Sequence, residues 1–217
     1  MSEPVSEHNR TSISVVVAYH SGYGHTARQA RAVADGVASV AGARVELRNV
    51  AELTESLWDA LDSADAIVFG SPTYMGSQSS TFQAFAEASA GVWAKQGWRD
   101  KLAAGFTTSA GANGDKLHTL SSMVLFAAQH GMTWVNLDLA PGWIYTSTGT
   151  ADSLNRLGGF VGAMAQAPSD APPDVAPPSA DLRTAEHLGR RVALLARQFA
   201  IGKRSIDGNI PAVAVSA

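Results

Sequence analysis

One short run does most to limit what this chain can become. Ile13-Ser14-Val15-Val16-Val17-Ala18-Tyr19 is β-branched and almost continuously apolar. A strand of this kind has no polar face to give to water, so it belongs in a sheet covered on both sides, as parallel sheets are. The period then changes. From Thr26 to Val40 apolar residues fall at Ala30, Val33, Ala34, Val37 and Val40, one face of a helix, and Gly42 stops it. The same alternation recurs down the chain. Ala43 to Val50 alternates as a strand nearer an edge does, and Leu53 to Leu61 is a short amphipathic piece. Ala66 to Phe69 is a third strand ending in Gly70-Ser71-Pro72, and Thr81 to Ala90 a helix. Lys101 to Thr108 is a fourth strand, Lys116 to His130 a helix stopped by Gly131, and Met132 to Asp138 a fifth strand. Strand and helix in this order predict an α/β chain with a doubly wound, five-stranded parallel sheet, three layers deep.

The 217 residues, 46% hydrophobic, suffice for one such domain and fall short of two. The reading is therefore a single domain over 1–217 with an ordered core of about 12–200. Residues of about 138–167, rich in Gly, Thr and Ser, read as an insertion after the fifth strand. Five of the eleven residues in 168–178 are proline, which makes this segment an extended connector and no helix. Ala180 to Phe199 is the last helix, with Leu182, Leu188, Val192, Leu195 and Phe199 on its apolar side. Residues beyond Ile201 read as a tail or an arm for a partner subunit.

Charge and cysteine content exclude several classes of function. With 16 basic and 19 acidic residues, net −3, there is no basic field for a nucleic acid. The absence of cysteine removes disulfides, thiolate-held metal and cysteine nucleophiles, and no metal site is expected. The N-terminus MSEPVSEHNRTS is polar and acidic, unlike a signal or transit peptide, and no apolar run reaches membrane-spanning length. A cytoplasmic location without membrane insertion is the expectation.

Ligands of doubly wound sheets bind outside the carboxyl ends of the strands. Three turns fall there. Ser21-Gly22-Tyr23-Gly24-His25-Thr26 follows the first strand and suits an anion at a helix N-terminus, with two hydroxyls to add to the backbone N–H groups. It also fits the dinucleotide pattern G-x-G-x-x-A with Glu46 about twenty residues on, though Tyr23 and His25 are bulky for that turn. A third reading makes Ser21 and Thr26 plain helix caps. No lysine follows the glycines, so the loop is not that of a nucleoside triphosphatase. Ser71-Pro72-Thr73-Tyr74-Met75-Gly76 sets an aromatic and a sulfur side chain beside a rigid bend, suited to a flat heterocycle. Thr108-Ser109-Ala110-Gly111-Ala112-Asn113-Gly114-Asp115 is small and rich in donors, open to close approach by a ligand. It reads equally as a loop whose Asn113 or Asp115 caps the next helix.

With these loops in this order, and with GVWAKQGWRDKLAAGFTTSAG and AAQHGMTWVN, the chain resembles the flavodoxin-like NAD(P)H:quinone oxidoreductases of the WrbA type from about Ile13 to Phe199. That family carries a Ser-x-Tyr-Gly-His phosphate loop, a Thr-Pro-Thr-Arg-Phe-Gly flavin loop and a Ser-Thr-Gly-Thr-Gly-Gly-Gly loop. The resemblance implies a flavodoxin-like fold, FMN as cofactor, NADH or NADPH as co-substrate, a quinone or similar small acceptor, and a homo-oligomer, dimer or tetramer. It assigns Ser21, Gly22, Tyr23, Gly24, His25 and Thr26 to the FMN phosphate and the flavin edge. Pro72, Thr73, Tyr74 and Met75 would line the isoalloxazine, and Ser109, Ala110, Gly111, Ala112, Asn113 and Gly114 would meet the ring and ribityl chain. Tyr23 would border the nicotinamide, Trp93 the substrate pocket, and His130 the open flavin face, with His130 and Tyr23 as catalytic candidates. For His130 the alternative is a helix-terminal residue favoured by the dipole, and for Trp93 a core or interface residue. Tyr74-Met75 stands where the family has Arg-Phe, and Asp115 adds a carboxylate that would oppose charge on a reduced ring. An electron carrier or FMN-binding regulatory protein of the same fold, without NAD(P)H turnover, is the alternative function.

Overall fold

A computed structural model describes residues 12–143 and 145–207. The expected ends of the chain, 1–11 and 208–217, lie outside the described residues. The elements run β1 (Ile13–Tyr19), α1 (His25–Ala38), β2 (Ala43–Asn49), α2 (Glu55–Ser63), β3 (Ala66–Tyr74), β4 (Ser77–Gln78), α3 (Ser80–Ala88), α4 (Ala90–Ala94), β5 (Leu102–Ser109), α5 (Lys116–Gln129), β6 (Thr133–Trp134), β7 (Ala163–Gln166) and α6 (Ser179–Asp207). The sheet order is β2-β1-β3-β5-β6, with β7 on β5 and β4 on β3. All neighbours are parallel except β3 with β4. The order reverses at β1, the crossover point where doubly wound sheets open a crevice.

The two helical layers each have their own apolar core. α1 and α6 cover one face, with Val33, Val37, Leu188 and Val192 against Val15, Val17, Val68 and Phe106. α2 to α5 cover the other, where Phe69, Phe82, Phe85, Trp98 and Phe126 form one aromatic cluster. The helices of the first layer approach unusually closely. A Cβ on Gly36 would lie 1.9 Å from the Glu186 carbonyl oxygen, and one on Gly189 would lie 1.9 Å from that of Val33. Two glycines across a helix pair thus set the distance between α1 and α6.

Three sequence expectations change. The third strand does not end at Gly70: Ser71, Pro72 and Thr73 are buried in β3, with Pro72 opposite Thr108 of β5. Ser71 and Pro72 lack an apolar pattern, yet the strand continues because a half-buried hairpin partner, β4, and the hydroxyls inside the sheet satisfy it. The insertion does not follow the fifth strand but interrupts it. β6 pairs with the start of β5 at Leu102 and Ala103, and β7 with its end at Phe106 to Ser109. The fifth position is thus filled by two short strands with residues 135–162 looped out between them. Finally, the last helix runs on to Asp207, and Phe199 is half exposed rather than on the buried side. Segment 168–178 contains no helix, as its prolines require.

Candidate functional site

The first, third and fourth expected strands end side by side as β1, β3 and β5, and buried side-chain bonds lock the three ends together. The His20 Nδ1 lies 2.8 Å from the Ser79 hydroxyl, and the Ser79 N–H donates to Ser71 Oγ at 3.0 Å. Burial lowers the His20 pKa. Thr73 shares 2.8 Å contacts with the hydroxyls of Thr107 and Thr119, and the Thr108 hydroxyl donates to buried Gln29 Oε1 at 2.6 Å. Such satisfied buried networks fix geometry more than they add stability.

Above this base, the first loop is an anion cradle. Gly24 takes φ 90° as the N-cap of α1 and offers no side-chain cap. Ser21 Oγ accepts from the N–H groups of Gly24 and Ala27, both at 3.1 Å. Among the described residues, the N–H groups of His25 and Thr26 have no acceptor, nor does the Thr26 hydroxyl have a partner although Thr26 is 2% exposed. Two free N–H groups and a hydroxyl at the N-terminus of a 14-residue helix suit a phosphate monoester. Of the two expected hydroxyls, then, Ser21 organises the turn as a cap, and Thr26 is free for a ligand.

Tyr23 and Tyr74 join the first two loops. Their rings meet edge to face, centroids 6.2 Å apart, with Tyr23 exposed and Tyr74 partly so. Burial, then the neighbouring Tyr23 phenol, raises the Tyr74 pKa. Gly22 lets this pair close over the turn, since a Cβ there would lie 2.4 Å from Tyr74 Oη and push that ring aside. Met75, at φ 48° in the hairpin tip, is fully exposed. Pro72 and Thr73 are buried in the strand behind it, so only Tyr74 and Met75 of the second loop present side chains outward.

The third loop is held from within. Lys116 is 0% exposed and donates to the carbonyls of Gly111, Ala112 and Asn113, the last two at 3.1 and 3.3 Å. Burial lowers its pKa to about 8; Asp181 acts against that shift and Arg156 with it. Neither Asn113 nor Asp115 caps α5 with its side chain; Asp115 is its N-cap at φ 54° with its carboxylate exposed. Sequence reasoning passed over Lys116, because a lysine between Asp115 and Leu117 carries no local sign of burial.

Three expected site residues stand elsewhere. The His25 ring is engaged within the chain: its Nε2 lies 2.8 Å from the Ala171 carbonyl, so the proline-rich segment straps across the start of α1. Arg28 adds a bond to the Pro173 carbonyl at 2.9 Å, and Pro173 sits where a Gly24 Cβ would go. His130 follows the far end of α5, about 20 Å from the loops by the rise of 14 helical residues. It lies by the amino ends of the strands, where Gly131 accepts from the Asp100 N–H. Its Nε2 lies 2.9 Å from Ser89 Oγ, its ring stacks at 4.4 Å on Trp98, its Nδ1 is buried without a partner, and burial lowers its pKa. Exposed Trp93 lies with it along a cleft between α3 and α5. Within one chain the fold brings neither residue to the three loops.

Comparison with known proteins agrees with this architecture. The NADPH-dependent FMN reductase family matches residues 11–140. A Pseudomonas aeruginosa protein named flavodoxin FldP is 45% identical over 184 residues, 85% of this chain and 97% of that one. An NAD(P)H dehydrogenase (quinone) of Geotalea uraniireducens is 31% identical over 87% of this chain and 100% of that one. The crystal structure of a flavodoxin, WrbA-like protein from Agrobacterium tumefaciens superposes with a TM-score of 0.68 at 43% identity, covering 86% of this chain and 99% of that one. On the fold, the phosphate-ready first loop and these matches together, the chain belongs to the NADPH-dependent FMN reductase family and is a flavodoxin-like FMN protein.

Proposed function

We propose that this chain is an FMN-dependent NAD(P)H oxidoreductase that reduces a quinone or similar small acceptor by two electrons. The observation that carries the reading is the meeting of three neighbouring strand ends at unpartnered backbone donors, walled by two tyrosines. FMN, when bound, would supply two-electron hydride chemistry between the nicotinamide and the acceptor. The residues bind and shape. His25 and Thr26 hold the phosphate through their backbone N–H groups and the Thr26 hydroxyl, in a turn shaped by Gly22 and Gly24 and fixed by Ser21. Tyr23, Tyr74 and Met75 wall the ring, with Pro72 and Thr73 stiffening the strand behind them, and Ser109 to Gly114 meet its edge. No side chain at the loops stands as a covalent catalyst; Tyr23 shapes the place where nicotinamide and acceptor bind in turn.

Trp93 and His130 enter this reading only through a second copy of the chain. The two residues, at the end of the α3–α5 cleft away from the loops, would border another subunit's flavin in a homo-oligomer.

The test starts from the visible spectrum of purified protein with added FMN, followed by anaerobic NADH or NADPH and then a quinone. Bleaching on reductant and recovery on quinone, with parallel initial-rate lines, is the expected result. An electron carrier is the second reading, favoured by the relative named flavodoxin FldP. It predicts bound FMN that NAD(P)H does not bleach at a useful rate. A protein that takes up no FMN would end both.

A further inference from the structure

The 110–114 loop is held by four successive carbonyls, those of Ala110 to Asn113. Gln166 Nε2 donates to the Ala110 carbonyl at 3.1 Å. The Ser109 hydroxyl donates to that of Gly111 at 3.2 Å, and buried Lys116 donates to those of Gly111, Ala112 and Asn113. In a trans peptide the N–H points opposite to the carbonyl of the same unit. Four carbonyls drawn inward therefore turn the N–H groups of Gly111, Ala112, Asn113 and Gly114 to the outer side. Among the described residues none of these four finds an acceptor. A run of outward N–H groups is an anion-seeking surface. Beneath it lies the Lys116 ammonium, which among the described residues has no carboxylate in direct contact; Asp181 is engaged by Arg156 at 2.7 Å.

We propose that Lys116 is a positioning residue for the flavin: it sets the loop's N–H groups toward the ring and its charge favours the reduced, more negative form. The proposal rests on the FMN reading above and deepens it. Asp115, exposed at the helix cap, opposes the same field from outside, while Lys116 acts from within, where water screens it less. The charged groups facing Lys116 from neighbouring elements are Asp181 on α6 and Arg156 in the insertion. They form a bidentate pair that nearly cancels, leaving Lys116 as the net charge under the loop.

The experiment is FMN binding by fluorescence and the two-electron midpoint potential by spectral titration, for wild type, Lys116→Met and Lys116→Gln. Expected are weaker FMN binding and a preference for oxidised over reduced FMN increased about tenfold, which is about 30 mV for a two-electron couple. In the wild type alone, the potential plotted against pH should bend near pH 8, where Lys116 loses its charge; both variants should lack the bend. Unchanged potentials in variants that bind FMN, or a wild-type plot without the bend, would overturn the proposal while leaving the FMN reading intact. If the variants do not fold, the wild-type plot decides. A wild type that binds no FMN would instead defeat the reading on which the proposal rests.

Discussion

Thr26 and Ser21 sit five residues apart and divide two tasks. Ser21 gives its oxygen to two backbone N–H groups, whereas the Thr26 hydroxyl has no partner among the described residues. Ser21→Ala should therefore cost stability, about 1 kcal/mol as for other lost caps, read as a lower denaturation midpoint of the apoprotein. Thr26→Val keeps the shape and should leave that midpoint in place while raising the FMN dissociation constant about tenfold. Equal losses in both variants would contradict the division. Lys116 makes a prediction in pH. Its folded pKa, about 8, lies below the 10.5 of an open lysine, so between these values the unfolded chain binds more protons. Its contribution to stability then rises with pH across that window. The difference in stability between wild type and Lys116→Met should drift by the same sign from pH 8 to 10, whatever other groups titrate in both. Residues of this kind divide sharply in how they could be read. Ser21, Gly24 and Thr26 announce themselves because a helix N-terminus is a local pattern. The burial of Lys116 depends on Gln166, Arg156 and Asp181, 40 to 65 positions away, and His25 is turned aside by a carbonyl at Ala171.

Among the elements, the periodic ones were legible and the interrupted ones were not. β1, β2, α1 and α5 follow their apolar spacing closely, but β3 continues through Ser71-Pro72-Thr73 because hydroxyls of β5 and α5 complete it inside the sheet. The split fifth strand is invisible locally, since Ala163–Gln166 is too short to show a period. What ties the looped-out segment back is Arg156, whose side chain is 7% exposed and whose partner Asp181, in the first turn of α6, is 1% exposed. Arg156→Met would leave that carboxylate buried and unpaired, a loss of about 3–5 kcal/mol. Arg156→Met with Asp181→Leu should recover most of it, as measured by urea unfolding. Asp181 already has its pKa raised by burial, against the pull of Arg156, so without the arginine it should take up a proton at higher pH still. The Arg156→Met variant should accordingly gain stability as pH falls through that raised value, relative to wild type. Two turns further along α6, Gly189→Ala would set a Cβ 1.9 Å from the Val33 carbonyl oxygen and force the helices apart, about 1–3 kcal/mol.

At the scale of the molecule, the site loops and the Trp93–His130 pair lie at opposite ends of the sheet, and the proposed function links them only through assembly. The sequence showed a resemblance that groups these residues; it had no means of showing that one chain cannot bring them together, because that follows from the direction of α5 across the sheet. The consequence is testable without a structure of the assembly. Light scattering should give a molar mass that is a multiple of 22.6 kDa. Trp93→Ala and Thr26→Val chains should each be poor quinone reductases, the first by losing the acceptor wall and the second by losing FMN. Mixed after dissociation and reassociated, they should regain part of the activity, because in a mixed oligomer the flavin loops of the Trp93→Ala chain border the intact Trp93 of the other. If each site is complete within one chain, mixing should give only the average of the two parents. A monomeric molar mass in an active enzyme would likewise remove Trp93 and His130 from the reaction, and would return His130 to what its surroundings already make it, a buried histidine packed between Trp98 and Phe126 at a helix end.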